Sequence, residues 1–385
     1  MSYVTAIGYA NPPYRFRQSE IADFMIRAMQ LNDQESRKLR TIFQASGIDY
    51  RHSVIADYGR RDSFQFYPNT SDFEPFPSTS KRLHVFQQHA LELSLAAVEN
   101  MLKKVPDFDL STVTHVINVS CTGLYAPGLD IEIVRRLRLS PGVQRTGINF
   151  MGCYAAFNAL KVADAFCAQN SNAVVLIVCT ELCSLHFQKV ATDDNLISNA
   201  LFSDGSAAVL VQAKAPSGIS LNPVAFRSAL IEAEDDDMAW AIGDLGFQMR
   251  LSSYVPSLIK GGIASLVSSV LENTGKNIAG IRLFAIHPGG KKILESIEQE
   301  LGITPDMNEA AYYILRNFGN MSSPTVLFVL DRVMQGLSTA DKGEGLLSFA
   351  FGPGLTLESI LFNVEVALAC RHSPDDQRSR KSWTT

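Results

Sequence analysis

The sequence predicts an α/β protein built from two similar halves, and three observations lead to this prediction. Apolar residues make up 46% of the 385 residues and charged residues 19%, as in globular proteins. A mostly apolar helix entered from a glycine occurs twice, after Gly152 and after Gly319. Nearly uniform apolar runs, typical of strands covered on both faces, recur at 114–119, 173–179, 207–212, 281–286 and 346–351. The order strand, loop, buried helix, strand is therefore repeated along the chain.

The first half is expected to span residues 1–215. Residues 1–10 read as a strand, which Pro12 and Pro13 close. An aromatic-rich irregular stretch at 49–80 separates two early helices from a longer helix that Ser80 could cap. The helices of this half are expected at 18–31, 33–45, 80–104 and 129–137 and over the run that follows Cys153.

The second half is expected to span residues 216–365. Pro, Gly and Ser at 213–222 mark the boundary between the halves. Beyond it the pattern predicts a helix at 258–271, the strand 281–286, a helix that begins at Asn320, and strands at 346–351 and 355–362. Residues 366–385 are polar and charged, and we expect a disordered tail.

Charge and cysteine usage narrow the classes of function. With 34 basic and 39 acidic residues the net charge is −5, which argues against a nucleic-acid-binding surface. No run of eighteen apolar residues predicts a membrane span, and no signal peptide is apparent. The six cysteines fall largely in apolar runs, and no pairs with metal-site spacing occur together. These features predict a cytoplasmic protein with reduced thiols, no metal and no cofactor.

Three polar residues fall at the ends of buried elements: Cys153, His287 and Asn320. A cysteine at a helix N-terminus is expected to have a lowered pKa, because the helix dipole favours the thiolate. A histidine base beside it can take the thiol proton, and histidine and asparagine together offer two N–H donors to an oxyanion. Each residue also has an ordinary interpretation, as a core cysteine, a core histidine and a helix cap, but their coincidence favours acyl transfer.

Several runs carry a resemblance to a known family. GCYAA around Cys153, ALFSDGSAAVL at 200–210, IHPGG around His287, GNMSSPTV around Asn320 and FGPGLTLE at 351–358 resemble the signatures of the type III polyketide synthases, the chalcone synthase-like family, in its bacterial-type branch. The resemblance spans roughly residues 1–365. The related ketoacyl-ACP synthase III enzymes share the triad but usually carry Gln-Ala-Asn after the histidine, where this chain has Pro-Gly-Gly.

The resemblance implies a thiolase-like fold, two similar halves in a layered αβαβα arrangement, working as a homodimer. It implies that Cys153 is loaded from an acyl-CoA starter and that malonyl-CoA loses carbon dioxide against His287 and Asn320. Repeated condensation and cyclisation would give a pyrone, a resorcinol or a phloroglucinol. The alternative on the same fold is a single-turn condensing enzyme, similar to ketoacyl synthase III, or an acyl-CoA acyltransferase.

The resemblance also implies a substrate cavity. Phe202 lies at the gatekeeper position between CoA tunnel and cavity, and either Phe247 or Met249 aligns with the second gate. Cys121, Cys183 and His186 stand where plant members mostly carry threonine, Trp240 where they carry glycine, and Ala126 where a methionine crosses the dimer. A bulky Trp240 would narrow one arm of the cavity, and Ala126 would open another. The remaining candidates are Ser322, Gly352, Pro353 and Gly354 on the cavity wall, and Lys38, Arg40 and Arg51 for the CoA phosphates.

Overall fold

The computed structural model describes residues 1–232, 238–252 and 254–367, so most of the predicted tail at 366–385 lies outside the described residues. The helices are α1 Gln18–Ala28, α2 Asp33–Ala45, α3 Thr79–Leu102, α4 Leu129–Arg136, α5 Ala155–Gln169, α6 Asp193–Leu201, α7 Val255–Leu271, α8 Lys291–Leu301, α9 Glu309–Phe318 and α10 Thr325–Gly336. The strands are β1 Tyr3–Ala10, β2 Tyr14–Arg17, β3 Tyr50–Ser53, β4 His115–Ser120, β5 Gln144–Asn149, β6 Val174–Leu182, β7 Asp204–Gln212, β8 Gly218–Leu230, β9 Met238–Gly243, β10 Gly246–Leu251, β11 Leu283–Ile286, β12 Gly345–Gly352 and β13 Thr356–Ala367.

Nine strands form one mixed sheet in the order β11-β12-β13-β8-β1-β7-β6-β4-β5. In the first half β4 and β6 are parallel, β7 pairs antiparallel with β6, and β1 pairs antiparallel with β7. The second half repeats this pattern, since β11 and β12 are parallel and β13 and β8 follow antiparallel. The two sets meet where Val4 of β1 pairs with Leu221 of β8. The predicted repetition of the halves is therefore visible in the strand directions.

Helices α5 and α10 lie in the centre of the fold. Their apolar residues belong to one core cluster that also contains side chains of β6, β7, β11 and β12. All eight residues of β12 and eight of the nine in β6 are buried, which explains their mostly apolar sequences. Helix α3 packs with α1 in a second core cluster. Helices thus cover the sheet on both faces, as the thiolase-like interpretation requires.

Local chemistry shifts several predicted boundaries. Helix α3 is capped by Ser78, whose side chain accepts the Lys81 N–H at 3.3 Å, and not by Ser80. Helix α5 begins at Ala155, because Gly152–Tyr154 form a separate 3₁₀ turn. Helix α10 begins at Thr325 and not at Asn320, since the segment between them turns back on itself. Helices α6, α8 and α9 and the hairpin β9–β10 were not predicted.

In the described part of the chain, no helix is long and apolar enough to cross a membrane. The same residues contain no group of three or more His, Cys, Asp or Glu side chains arranged to hold a metal ion. These observations do not test whether the enzyme needs a cofactor, so the expectation that it needs none stays a prediction.

Candidate active site

The structure brings Cys153 and Asn320 together and buries both with His287. Cys153 lies in the 3₁₀ turn that follows β5, His287 directly follows β11, and Asn320 lies between α9 and α10. Their exposed fractions are 2%, 0% and 2%. Because β5 and β11 each belong to a parallel pair, Cys153 and His287 both follow the carboxyl end of a parallel strand. Ligands commonly bind at this edge of an α/β sheet.

The Asn320 amide is held against the sulfur, with Oδ1 and Nδ2 each 3.9 Å from Cys153 Sγ. Its Oδ1 accepts the Ser322 N–H at 2.8 Å and the Thr325 hydroxyl at 3.4 Å. Its Nδ2 lies 3.9 Å from Cys153 Sγ and 3.4 Å from the Gly289 carbonyl oxygen. Ser322 adopts a φ of +60°, a conformation costly for a serine, in order to supply its N–H. Asn320 is therefore fixed as a donor beside the nucleophile.

His287 has two ring nitrogens with no hydrogen-bond partner among the described residues. Its backbone N–H donates to Phe349 O at 2.9 Å, and its ring meets the Phe351 ring edge-on at 5.4 Å. Burial lowers the pKa of His287 to about 3, so the free imidazole is neutral at pH 7. A buried polar group without a partner is uncommon in native proteins. His287 therefore stays the predicted base of the site.

The predicted lowering of the Cys153 pKa is wrong for the free enzyme. Burial raises the pKa of Cys153 to about 12, and the hydrogen bonds from Ser322 and Asn320 only partly oppose it. The dipole argument fails because the thiol precedes α5 by a separate turn and is fully desolvated. A proton that moves from Cys153 to His287 would leave the net charge unchanged, and the two new charges would then attract each other. Activation of the thiol therefore requires a base, and His287 stays the predicted one.

Glu181 is a buried carboxylate that the sequence analysis missed. It accepts hydrogen bonds from Thr122 Oγ1 at 2.7 Å, Ser323 Oγ at 2.8 Å and the Cys121 N–H at 2.9 Å. Burial raises the pKa of Glu181 to about 7. The signal was present, because a glutamate stands inside the apolar run of β6. It ties the ends of β4 and β6 to the segment after Asn320.

The Gly352-Pro353-Gly354 loop packs directly on the cysteine turn. Gly152 has a φ of +74°, and a Cβ at this position would lie 2.3 Å from Pro353 Cδ. A Cβ at Gly352 would lie 3.3 Å from the Cys153 nitrogen and closer still to the Tyr154 ring. Gly354 has a φ of +69°. The glycines thus permit the close approach that sets this wall of the site.

Most predicted cavity residues line one small internal cavity of about 40 Å³. Phe202 lies at its edge, and its backbone pairs with that of Asn320. Trp240 and Met249 face each other across the β9–β10 hairpin. The predicted residues on this cavity are Cys183, His186, Phe202, Trp240, Phe247 and Met249. Because Phe247 and Met249 both line it, the question of which is the second gate stays open.

Cys121 is not among the residues that line this cavity, and it contacts the cysteine turn. Its sulfur accepts the Gly152 N–H at 3.1 Å, and its carbonyl oxygen accepts the indole N–H of Trp240 at 2.9 Å. Cys121 therefore links the cysteine turn to the β9–β10 hairpin. The Trp240 ring also meets the Phe247 ring edge-on, with centroids 5.9 Å apart.

His186 uses both ring nitrogens on the backbone. Its Nε2 donates to the Thr122 carbonyl oxygen at 2.7 Å, and its Nδ1 accepts the Phe247 N–H at 3.0 Å. The ring stacks on Phe247 with centroids 4.2 Å apart. Burial lowers the pKa of His186 to about 3, so this tautomer persists at neutral pH. Of the two roles weighed from the sequence, this geometry favours the structural one.

The three predicted CoA-binding cations lie in different environments. Lys38 lines a cleft of about 390 Å³ whose wall includes Gly289 and Gly290, which follow His287 closely in the chain. Lys291 and Lys292, which were not predicted, line the same cleft. Arg40 lines a separate groove and pairs with Asp23 at 2.6 Å. Arg51 is only 4% exposed, too buried for the mouth of a tunnel.

A buried cysteine, a histidine with free nitrogens and an oriented asparagine amide on this fold define an acyl-transferring condensing enzyme. Comparison with known proteins names the family. Residues 1–215 match the family model of the N-terminal domain of chalcone and stilbene synthases, and residues 225–365 match that of the C-terminal domain. The chain belongs to this family, and it is a type III polyketide synthase.

Similar proteins and structures agree with this assignment. The alpha-pyrone synthesis polyketide synthase-like Pks18 of Mycobacterium tuberculosis is 30% identical over 94% of this chain and 91% of the relative. The crystal structure of PKS-I from the brown alga Ectocarpus siliculosus superposes with a TM-score of 0.86 at 28% identity, covering 94% of this chain and 98% of that one. The C-terminal type III domain of Steely1 from Dictyostelium gives a TM-score of 0.86 at 27% identity, covering 95% of this chain and 99% of that one. The predicted thiolase-like fold and family are confirmed, whereas the roles of individual site residues stay predictions.

Proposed function

We propose that the enzyme loads an acyl-CoA starter on Cys153, extends it repeatedly with malonyl-CoA and cyclises the chain to a pyrone, resorcinol or phloroglucinol. The observation that carries this proposal is the position of Asn320, whose amide contacts Cys153 Sγ and whose Oδ1 is held by the Ser322 N–H. An amide fixed in this way is a preorganised donor for an oxyanion.

Loading begins when the Cys153 proton passes to His287. The thiolate then attacks the thioester carbonyl carbon, the new S–C bond forms, and the bond to the CoA sulfur breaks. CoA leaves as a thiol after it takes the proton back from the imidazolium. The acyl group remains on Cys153, and His287 is neutral again.

Extension of the chain requires hydrogen-bond donors that stabilise a negatively charged oxygen. When the carboxylate of malonyl-CoA leaves as carbon dioxide, its electron pair becomes an enolate on the thioester oxygen. The Asn320 amide and an N–H of His287 stabilise that oxygen. The enolate carbon attacks the acyl carbonyl on Cys153, and the sulfur leaves as the new C–C bond closes. We propose that no metal or cofactor takes part in these steps.

The cleft beside Gly289 and Gly290 is our proposed route for CoA. Its lysines, Lys38, Lys291 and Lys292, supply positive charge on an otherwise acidic protein, and CoA carries phosphates. The Lys38 ammonium pairs with Asp193 at 2.5 Å, but both side chains are more than half exposed, so this pair is easily exchanged. Arg40 and Arg51 are less suitable for binding the CoA phosphates than these three lysines.

One observation favours single-turn chemistry as a second candidate. The cavity that Phe202 lines has a volume of about 40 Å³. A tri- or tetraketide needs more room than this, so repeated extension within this cavity would require lining side chains such as Trp240, Phe247 or Met249 to move aside. A chain that ends after one condensation requires no such movement.

We also propose that the enzyme is a cytoplasmic homodimer, as the family resemblance suggests. Five cysteines in the described ranges are free and buried, which suits a reducing compartment. Light scattering during size-exclusion chromatography measures the mass directly, and a monomer at micromolar concentration would contradict the dimer.

The test of function is incubation of the purified enzyme with malonyl-CoA and acyl-CoAs from acetyl to palmitoyl, plus coumaroyl-CoA. Mass spectrometry should show products two or three C₂ units heavier than a starter. Cys153→Ala should abolish condensation but leave some decarboxylation. Products with one added unit favour the single-turn candidate, and full condensation by Cys153→Ala would refute the mechanism.

A further inference from the structure

Glu181 is a fully buried carboxylic acid that no step of the proposed mechanism uses. It lies near the end of β6, and its exposed fraction is 0%. Its Oε2 accepts the Cys121 N–H at 2.9 Å, and its Oε1 accepts the Ser323 hydroxyl at 2.8 Å. Cys121 belongs to the first half of the chain and Ser323 to the second. One side chain therefore joins the two halves beside the candidate site.

In the first half, these hydrogen bonds lead to the turn of the nucleophile. Cys121, whose N–H Glu181 accepts, itself accepts the Gly152 N–H with its sulfur at 3.1 Å. Gly152 directly precedes Cys153 in one 3₁₀ turn. Thr122 adds a second donor to the Glu181 carboxylate at 2.7 Å. Glu181 is thus connected to the nucleophile turn through a single intervening residue.

In the second half, the hydrogen bond of Glu181 reaches the turn that orients Asn320. The Asn320 backbone pairs with residues 201–203, but its side-chain oxygen is held within this turn, chiefly by the Ser322 N–H at 2.8 Å. Ser322 supplies this N–H from a φ of +60°, and a costly conformation persists only where the surrounding structure fixes it. The Ser323 hydroxyl, bound to Glu181, fixes the next residue of the turn.

We propose that Glu181 is a positioning residue, which holds the turn after Asn320 and thereby sets where the Asn320 amide lies relative to the Cys153 sulfur. This inference rests on the proposed function, in which that amide stabilises an oxyanion. The link requires a hydrogen bond and not a charge. An ionised Glu181 accepts the Ser323 hydroxyl, whereas the protonated acid can donate to the Ser323 oxygen.

The test compares two serine-to-alanine variants in the release of carbon dioxide from malonyl-CoA. Ser323→Ala removes the hydroxyl that Glu181 binds. Ser94→Ala removes another fully buried hydroxyl, which bonds Thr180 of β6 at 2.6 Å from helix α3. We expect Ser323→Ala to lower kcat about tenfold with little change in KM, the effect of losing one hydrogen bond to a charged group. Ser94→Ala should change kcat less than about twofold.

A double-mutant cycle separates positioning from general loosening of the fold. Because Ser323 acts through Asn320, adding Ser323→Ala to Asn320→Ala should lower the remaining rate less than about twofold. A further tenfold loss in that background would overturn the inference, since the hydroxyl would then act without Asn320. A kcat of Ser323→Ala equal to that of the wild type would overturn it as well.

Glu181→Gln is the conservative variant, because its amide can donate to Ser323 Oγ while its oxygen accepts the Cys121 N–H. It should keep kcat at pH 7 within about threefold of the wild type. A loss as large as that of Ser323→Ala would overturn the inference, since the charge would then matter more than the bond. Glu181→Ala would leave the donors of Cys121, Thr122 and Ser323 unpaired and can unfold the protein, so Ser323→Ala carries the test.

Alkylation of Cys153 by iodoacetamide separates this inference from the proposed function, because it needs no CoA substrate. Burial raises the pKa of Cys153, and the hydrogen bond from Asn320 opposes this rise, so Ser323→Ala and Asn320→Ala should slow alkylation by a similar factor. If the wild type releases no carbon dioxide but both variants slow alkylation alike, the proposed function fails and the positioning role stands. If the wild type releases carbon dioxide and Ser323→Ala changes neither rate, the proposed function stands and the positioning role fails.

Discussion

His287→Ala should make the Cys153 thiol almost unreactive at neutral pH. Burial raises the pKa of this thiol to about 12, so without a base only about 10⁻⁵ of it is thiolate at pH 7. Because thiolate is the reactive form, the rate of alkylation should rise about tenfold with each pH unit up to pH 9 or above. With His287 present, the Cys153 proton can pass to the neutral imidazole. A positioned base of this kind raises a reaction rate about 10²–10⁴-fold.

The assay is alkylation of Cys153 by iodoacetamide between pH 6 and 9, followed by intact mass. At pH 7 the variant should react at least about 100-fold more slowly than the wild type. His115→Ala, which removes a buried histidine on β4, controls for general loosening of the fold, and circular dichroism checks that each variant is folded. Equal rates for His287→Ala and the wild type at pH 7 would refute the reasoning, because another group would then activate the sulfur.

Three further predictions concern the surroundings of the nucleophile. Asn320→Ala should slow malonyl-CoA decarboxylation about 10²–10³-fold, measured as released carbon dioxide, and an unchanged rate would remove it from the oxyanion site. Gly152→Ala places a Cβ 2.3 Å from Pro353 Cδ and should cost far more in Tm and activity than Gly302→Ala, which has a similar φ but open space and costs about 1–2 kcal/mol; equal losses would contradict the clash. Burial raises the pKa of Glu181 from 4.5 to about 7, so its stabilising protonated form is lost as pH rises through this range. Glu181→Gln should therefore gain about 3 kcal/mol over the wild type at pH 8 and nothing at pH 4.5 in urea unfolding, and a difference independent of pH would contradict the shift.

The elements that the sequence predicted best are those whose burial is uniform. The apolar runs of β6, β7 and β12 correspond to strands in the middle of the sheet, because only a strand covered on both faces requires such a sequence. Helix boundaries were predicted less accurately where two nearby polar residues could both cap the helix. Ser78 and Ser80 are both good caps, and only the path of the preceding chain makes Ser78 the cap of α3.

The candidate site, too, could be predicted from the sequence only in part. Motif resemblance pointed to Cys153, His287 and Asn320, but it could not predict the raised pKa of the thiol, which depends on desolvation by residues distant in sequence. It also could not distinguish Arg51 from Lys38, since both are basic residues in one polar stretch. Only packing shows that one guanidinium is internal while the ammonium faces solvent.

The backbone pairing of Phe202 with Asn320 links substrate choice to catalysis mechanically. The Ser203 N–H donates to the Asn320 carbonyl oxygen at 2.8 Å, and the Asn320 N–H donates to Leu201 O at 2.9 Å. These two backbone hydrogen bonds couple the positions of the two segments. Any backbone shift of the proposed gate would therefore also displace the proposed oxyanion donor. A change in the size of the side chain at position 202 would leave this backbone pairing, and with it the position of Asn320, in place.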